Sequence, residues 1–192
     1  MKKLFLILSA FGCMSLFSQC EDQDQAAPVD AFLARWYSIN CGYSESLPYG
    51  DLYQWPQMPS CPTGYHVATS EEYEKLCTYP SVFVNNGPHG TNGRWYCPSN
   101  EAINNPSTAK GCVFFPAGGQ RKDSTNGTSE TNGQYSEGYY WSSTVLTGQN
   151  KWVAIFYFDN EEGGGVYSDF WEVLPDRPRF RYARSFRCIK DE

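Results

Sequence analysis

Apolar positions along this chain come in short clusters of rings, cut apart by Gly, Pro and Asn, and one stretch carries a clear helix start. In Thr69-Ser-Glu-Glu72 the threonine can accept from the Glu72 backbone N–H while the glutamate reaches back, a capping box. Tyr73 and Leu76 then fall three apart on one face with Cys77 beside them, and the helix ends before Pro80. A second, shorter helix is expected around 99–104 (SNEAIN). Strands are more numerous. GRWYC (93–97), GCVFFPAGG (111–119) and GYYWSST (138–144) are short, apolar or β-prone, and bounded by glycines. WVAIFYF (152–158) has no polar face and reads as a central strand buried on both sides. SFRCIK (185–190) alternates Phe186 and Cys188 against Arg187 and Ile189. The polar stretches 120–137 and 159–184 read as long loops, and long ordered loops on a small rigid sheet tend to carry function. The pattern as a whole predicts an α+β fold of short mixed strands, one or two helices and long loops.

The first residues stand apart. Lys2 and Lys3 precede LFLILSAFG, an apolar run too short to cross a bilayer, so 1–19 reads as a signal peptide. The Cys20 that follows, with EDQDQ directly after it, resembles the lipid-attachment site of a bacterial lipoprotein, and the acidic run resembles the surface-export signal of Bacteroidetes lipoproteins. Gln19 departs from the small residue usual before such a cysteine, and Gly12-Cys13 is the competing position. Residues 20–35 are then lipid attachment and tether, ending in the mildly helical AFLARW, and 36–192 form the folded domain. This implies a cell-envelope protein on the outer membrane, exposed at the surface and held by its lipid anchor alone.

The whole chain carries a formal charge of −6, and removing Lys2 and Lys3 makes it two units more negative. An acidic domain repels phosphate backbones, which excludes nucleic acid as a partner. Six cysteines lie beyond the export region: Cys41, Cys61, Cys77, Cys97, Cys112 and Cys188. In an exported chain an even set indicates disulfides. Zinc is disfavoured because no C-x-x-C pair exists and the only histidines are His66 and His89.

Five motifs occur in order: YGDLYQW (49–55), CPTGYHVATSEEYEKL (61–76), GCVFFPAGGQR (111–121), GYYWSST (138–144) and RSFRCIKD (184–191). Together they resemble the Fibrobacter succinogenes major paralogous domain family over about residues 36–191. Tyr65 and Tyr73 stand where that family usually has tryptophan, Ala68 where a proline is common, and Ile189 where it has valine. The family is similar to the C-type lectin fold. The resemblance implies that the two ends of the domain lie side by side and that Cys61 pairs with Cys188, a closure that stabilises by roughly 4–5 kcal/mol in the chain-entropy model. Cys97 and Cys112 flank one excursion between two expected strands and are the favoured second pair, which leaves Cys41 with Cys77.

His66 sits in the turn leading into the capped helix and reads as framework, since no G-x-S-x-G elbow or other activated nucleophile accompanies it. His89, in NNGPHGTNG, reads as a solvated loop residue. FDNEEG (158–163) groups oxygen-bearing side chains that suit calcium, the alternative to the favoured reading as an acidic solvated loop; no metal or other cofactor is expected. The expected function is non-catalytic: a binding module of adhesin type for a glycan or protein ligand. The expected ligand-binding residues are the ring-bearing and basic positions of the long stretches, Tyr135, Tyr167, Trp171, Arg179 and Tyr182, because rigid rings stack well on sugar faces. A structural subunit of a surface assembly is the alternative. Formylglycine-generating enzymes resemble this fold too, but they use a reduced cysteine pair near the C-terminus, where this chain has only Cys188.

Overall fold

The computed structural model describes residues 30–44, 46–123, 129–146, 152–161, 163–170 and 182–192. The α+β prediction holds at the level of class: two α-helices and mostly short strands among the described residues. The helices are α1 (Ser70–Cys77) and α2 (Asn100–Ile103). The strands are β1 (Tyr53–Gln54), β2 (Tyr65–Val67), β3 (Ser81–Val84), β4 (Gly93–Tyr96), β5 (Val113–Pro116) and β6 (Gln120–Asp123), followed by β7 (Ser129–Asn132), β8 (Gly138–Leu146), β9 (Trp152–Phe158), β10 (Gly165–Phe170), β11 (Tyr182–Phe186) and β12 (Cys188–Lys190). The largest sheet runs β10-β9-β8-β11-β6-β7 with β1 attached to β11; β3-β4-β5 and β12-β2 are separate small sheets.

The capping box forms as written in the sequence. Glu72 N donates to Thr69 Oγ1 at 3.2 Å and Thr69 N donates to Glu72 Oε2 at 2.9 Å. The face so started buries Tyr73 and Leu76, and the Tyr73 ring stacks on Phe156 of β9 at 4.7 Å between centroids. β9 lies between β8 and β10, and across residues 153–158 only Tyr157 is half-open to solvent. Phe115 of β5 sits at the centre of the core, with Trp36, Tyr73, Tyr96, Tyr140 and Phe156 ringed around it. Edge-to-face packing dominates, which suits the quadrupoles of the rings.

Four readings change. The stretches 120–137 and 159–184 are not wholly loop: β6 and β7 pair in the first and β10 adds to β9 in the second. QRKD and SETN carry no apolar alternation, so backbone pairing alone marks them as strands. SFRCIK is two strands, β11 and β12, divided at Arg187, with both of its expected faces buried. The packed region includes residues read as tether: Phe32 and Leu33 are buried in the core, and Asp30 accepts from both their N–H groups and from the Tyr79 hydroxyl. A six-residue run is too short to show a helical period, which hid its packing face. Residues 1–29, with Cys20, lie outside the described residues.

Cys61–Cys188 and Cys97–Cys112 are disulfides. The third expected pair, Cys41 with Cys77, is not formed; both remain thiols. They belong to different parts of the core. Cys41 packs with Trp141, Phe186 and Cys188, whereas Cys77 lies at the end of α1 against the Phe115 cluster. Burial, with the charge of Glu74 adding to it, pushes the Cys77 thiol up to about 11.

Arg187 is fully buried and joins these parts. Nε and Nη2 both donate to Asn40 Oδ1, at 3.0 and 2.7 Å; Nη1 donates to the Tyr37 carbonyl and Nη2 to the Phe114 carbonyl. Its guanidinium also lies 4.4 Å from the Phe115 ring centre. Asn40 in turn donates to the Tyr49 carbonyl and the Tyr140 hydroxyl, and Tyr140 donates to the Pro116 carbonyl. Burial pushes the Tyr140 phenol up to about 12 although Arg187 is beside it. Arg187→Ala strands Asn40 Oδ1 and the Tyr37 and Phe114 carbonyls and leaves a cavity. It is expected to cost about 3–5 kcal/mol in urea unfolding, and a loss below about 1 kcal/mol would show the network to be dispensable.

Candidate functional site

Side chains alternate across a strand, and β4 and β5 use both faces. Tyr96 and Phe115 enter the core, while Trp95 and Phe114, directly opposite one another in register, fall on the other face with their ring centres 5.0 Å apart. The Phe114 ring needs two glycines beside it. A Cβ on Gly87 would sit 2.8 Å from the ring, and one on Gly93 would run into both the ring and the Phe115 carbonyl. Trp95 and Phe114 contribute to a cleft of about 890 Å³. Its other walls come from three separate places: the segment from Leu33 to Pro48, the turn Pro88–Thr91, and the segment from Pro106 to Cys112. The Cys97–Cys112 disulfide ties that last segment back to the end of β4. The volume falls within the range of roughly 300–1,000 Å³ usual for small-molecule sites.

Hydroxyls and rings are interspersed with apolar residues in the lining. Ser38, Ser44, Thr91, Ser107 and Thr108 contribute, as do Tyr43 and His89. The Tyr43 hydroxyl and His89 Nδ1 are 2.8 Å apart and the two rings lean together at 4.7 Å. His89 is exposed, as expected of a solvated loop residue, but it is also partnered by Tyr43 and held at a positive φ of 56° that side-chain-bearing residues seldom adopt. Among the described residues the lining carries His89 and Lys110 but no carboxylate, on a chain of formal charge −6. Trp36 also contributes, and its Nε1–H is buried with no acceptor among the described residues.

The residues expected to bind ligand fall elsewhere. Tyr167 and Tyr182 do share the large sheet. A row crosses four adjacent strands there: Tyr167 meets the edge of Tyr157, Tyr157 leans on Tyr139 at 4.8 Å, and the Arg184 guanidinium lies over both Tyr139 and Tyr182. Tyr139, Tyr157 and Arg184 were missed because only strand register places them beside Tyr167. Burial, then hydrogen bonds to the Glu137 and Asp159 carboxylates, raise the Tyr139 and Tyr157 phenols above their usual range. Tyr135 is exposed and leans edge-on against Tyr49, apart from that row. Trp171 and Arg179 lie outside the described residues. In FDNEEG, Asp159 accepts from the Tyr157 hydroxyl and the Glu161 N–H. No three His, Cys, Asp or Glu side chains converge as metal ligands among the described residues. Trp95 and Tyr43 were legible as rings but not as walls of one cleft.

His66 is bracketed by acids. Nδ1 is 2.7 Å from Asp191 Oδ1 and Nε2 is 3.0 Å from Glu72 Oε2, the carboxylate that also closes the capping box and meets Arg35. With both ring nitrogens engaged, the imidazole joins β2, α1 and the C-terminal residues. Burial opposes its charge, but the hydrogen bonds to Asp191 and Glu72, with their charges, prevail and raise its pKa.

No protein-family model, characterised protein or solved structure matches the chain.

Because the folded-state pKa of His66 is raised, its contribution to stability is complete below the unfolded value of about 6.5 and is lost as pH rises through the folded value. The urea midpoint is expected to fall between about pH 6 and about pH 8, and to fall less in His66→Gln. An identical slope in the variant would remove His66 as the cause.

Proposed function

We propose that this chain is a non-catalytic glycan-binding module with C-type-lectin-like architecture, exported and held at the outer-membrane surface by a lipid on Cys20. The observation that carries the reading is the cleft, in which a Trp95–Phe114 ring pair lies among hydroxyls without a carboxylate in the described lining. Sugars offer two kinds of surface, C–H faces that stack on rings and hydroxyls that exchange hydrogen bonds with short polar side chains. An enzyme reading finds less support, because His66 is held by two carboxylates and His89 by Tyr43.

The lectin-like reading draws on the order of the five motifs, on the Cys61–Cys188 staple, and on the bridge between Trp36 and Ile189 that lays the early chain against the last strand. No helix among the described residues is long and apolar enough to cross a membrane, which fits attachment by lipid. The reading takes binding to be calcium-independent; Asp159 accepts from the Tyr157 hydroxyl and the Glu161 N–H.

Glycan-array binding followed by calorimetry on the strongest hit tests this. Trp95→Ala is expected to weaken binding about tenfold or more, Tyr167→Ala to leave it unchanged, and chelator to have no effect. Loss in Tyr167→Ala alone would move the site to the tyrosine row. Failure to bind any glycan would sink the reading in favour of a protein ligand.

A further inference from the structure

Three sulfurs lie in one place. Cys41 Sγ is 3.7 Å from Cys188 Sγ, which is already bonded to Cys61. Cys188 is the fixed member: it belongs to β12, opposite Val67 of β2, and its carbonyl accepts from Tyr37 N. The other two belong to irregular segments. Cys41 lies in a turn, and Cys61 precedes the turn into β2. Cys41 and Cys188 are both buried, whereas Cys61 is partly open to solvent. Chain entropy does not choose between the two loop cysteines. Their sequence separations from Cys188 are 127 and 147, and closure entropy changes only with the logarithm of loop length.

We infer that these cysteines form a thiol–disulfide exchange site in which Cys188 is bridged alternately to Cys61 and to Cys41, making Cys61 a modifiable thiol. Cys41 loses its proton to solvent and its thiolate sulfur bonds to Cys188 Sγ. The Cys61–Cys188 bond breaks, and Cys61 Sγ leaves with the electron pair and takes up a proton. One disulfide and one thiol stand on each side of the step, so no oxidant or reductant is consumed. The exchange releases the turn before β2 from its staple and moves the reactive thiol from a buried position to a partly open one. Cys77 takes no part, since it lies against the other core cluster. The inference is independent of which ligand the cleft takes.

The full chain, incubated natively with iodoacetamide at mildly alkaline pH, is sampled over time and mapped by non-reducing peptide mass spectrometry. Cys61 is expected to become carbamidomethylated progressively while a Cys41–Cys188 linked peptide accumulates in step. In Cys41→Ala the Cys61 label is expected to be lost. Air-oxidised Cys61→Ala is expected to contain the Cys41–Cys188 bridge in place of the native one. Persistent protection of Cys61 in the unmodified chain would overturn the inference, as would equal labelling of Cys61 in Cys41→Ala. So would recovery of both Cys41 and Cys188 as thiols from Cys61→Ala. Should that last variant fail to fold, the time course on the unmodified chain decides alone.

Discussion

A buried guanidinium must have its donors met, and in this fold that requirement falls on Arg187. Leaving water costs such a group several kcal/mol unless oxygens replace the lost hydration. Here the oxygens come from Tyr37 and Asn40, which are close in the chain, and from Phe114, which the sequence gives no reason to place beside them. Satisfying Arg187 draws the N-terminal segment, β5 and the final strands to one point. It also divides the last strand: β11 joins the large sheet alongside β8, and β12 turns away to pair with β2. Asn40 carries the constraint onward to Tyr49 and Tyr140, so the network is saturated on both sides of the amide.

The cleft follows from the same arrangement. Asn40 and Phe114 both contribute to its lining and both are bound to Arg187, so that wall is fixed by the core. β5 serves two ends with successive rings: Phe115 fills the centre of the core and Phe114 faces the cleft. Rings suit this because they bring large area with few rotatable bonds. The Cys97–Cys112 bridge does for the wall of residues 106–112 what Arg187 does for this one, in a segment that has no strand of its own to hold it.

The second constraint is the acid cluster at His66. Glu72 serves the helix cap, the imidazole and Arg35 at once, which couples α1 to β2 and to the 3₁₀ turn at Leu33–Arg35. The cap is local and would form in any context that allows a helix, whereas its ties to His66 and Arg35 require the fold. Cys188 has a similar double role, as a strand residue and as the sulfur that Cys41 and Cys61 share.

What the sequence by itself determined is local or compositional: the helix start at Thr69, the strands at 93–96, 113–116 and 152–158, and the Cys97–Cys112 bridge across one excursion. These depend on neighbours within a turn or on apolar runs that have few alternatives. Tertiary structure alone decided the rest. QRKD and SETN became strands through backbone pairing, which leaves no side-chain signature. Arg187 was buried because distant carbonyls came to meet it, where alternation gave no hint that both faces would close. Cys41 was left a thiol because its place lies beside Cys188 and not beside Cys77, a matter of which core cluster each joined. The cleft assembles from segments near residues 40, 90 and 110, and residues brought together by long-range packing carry no spacing that a sequence can display.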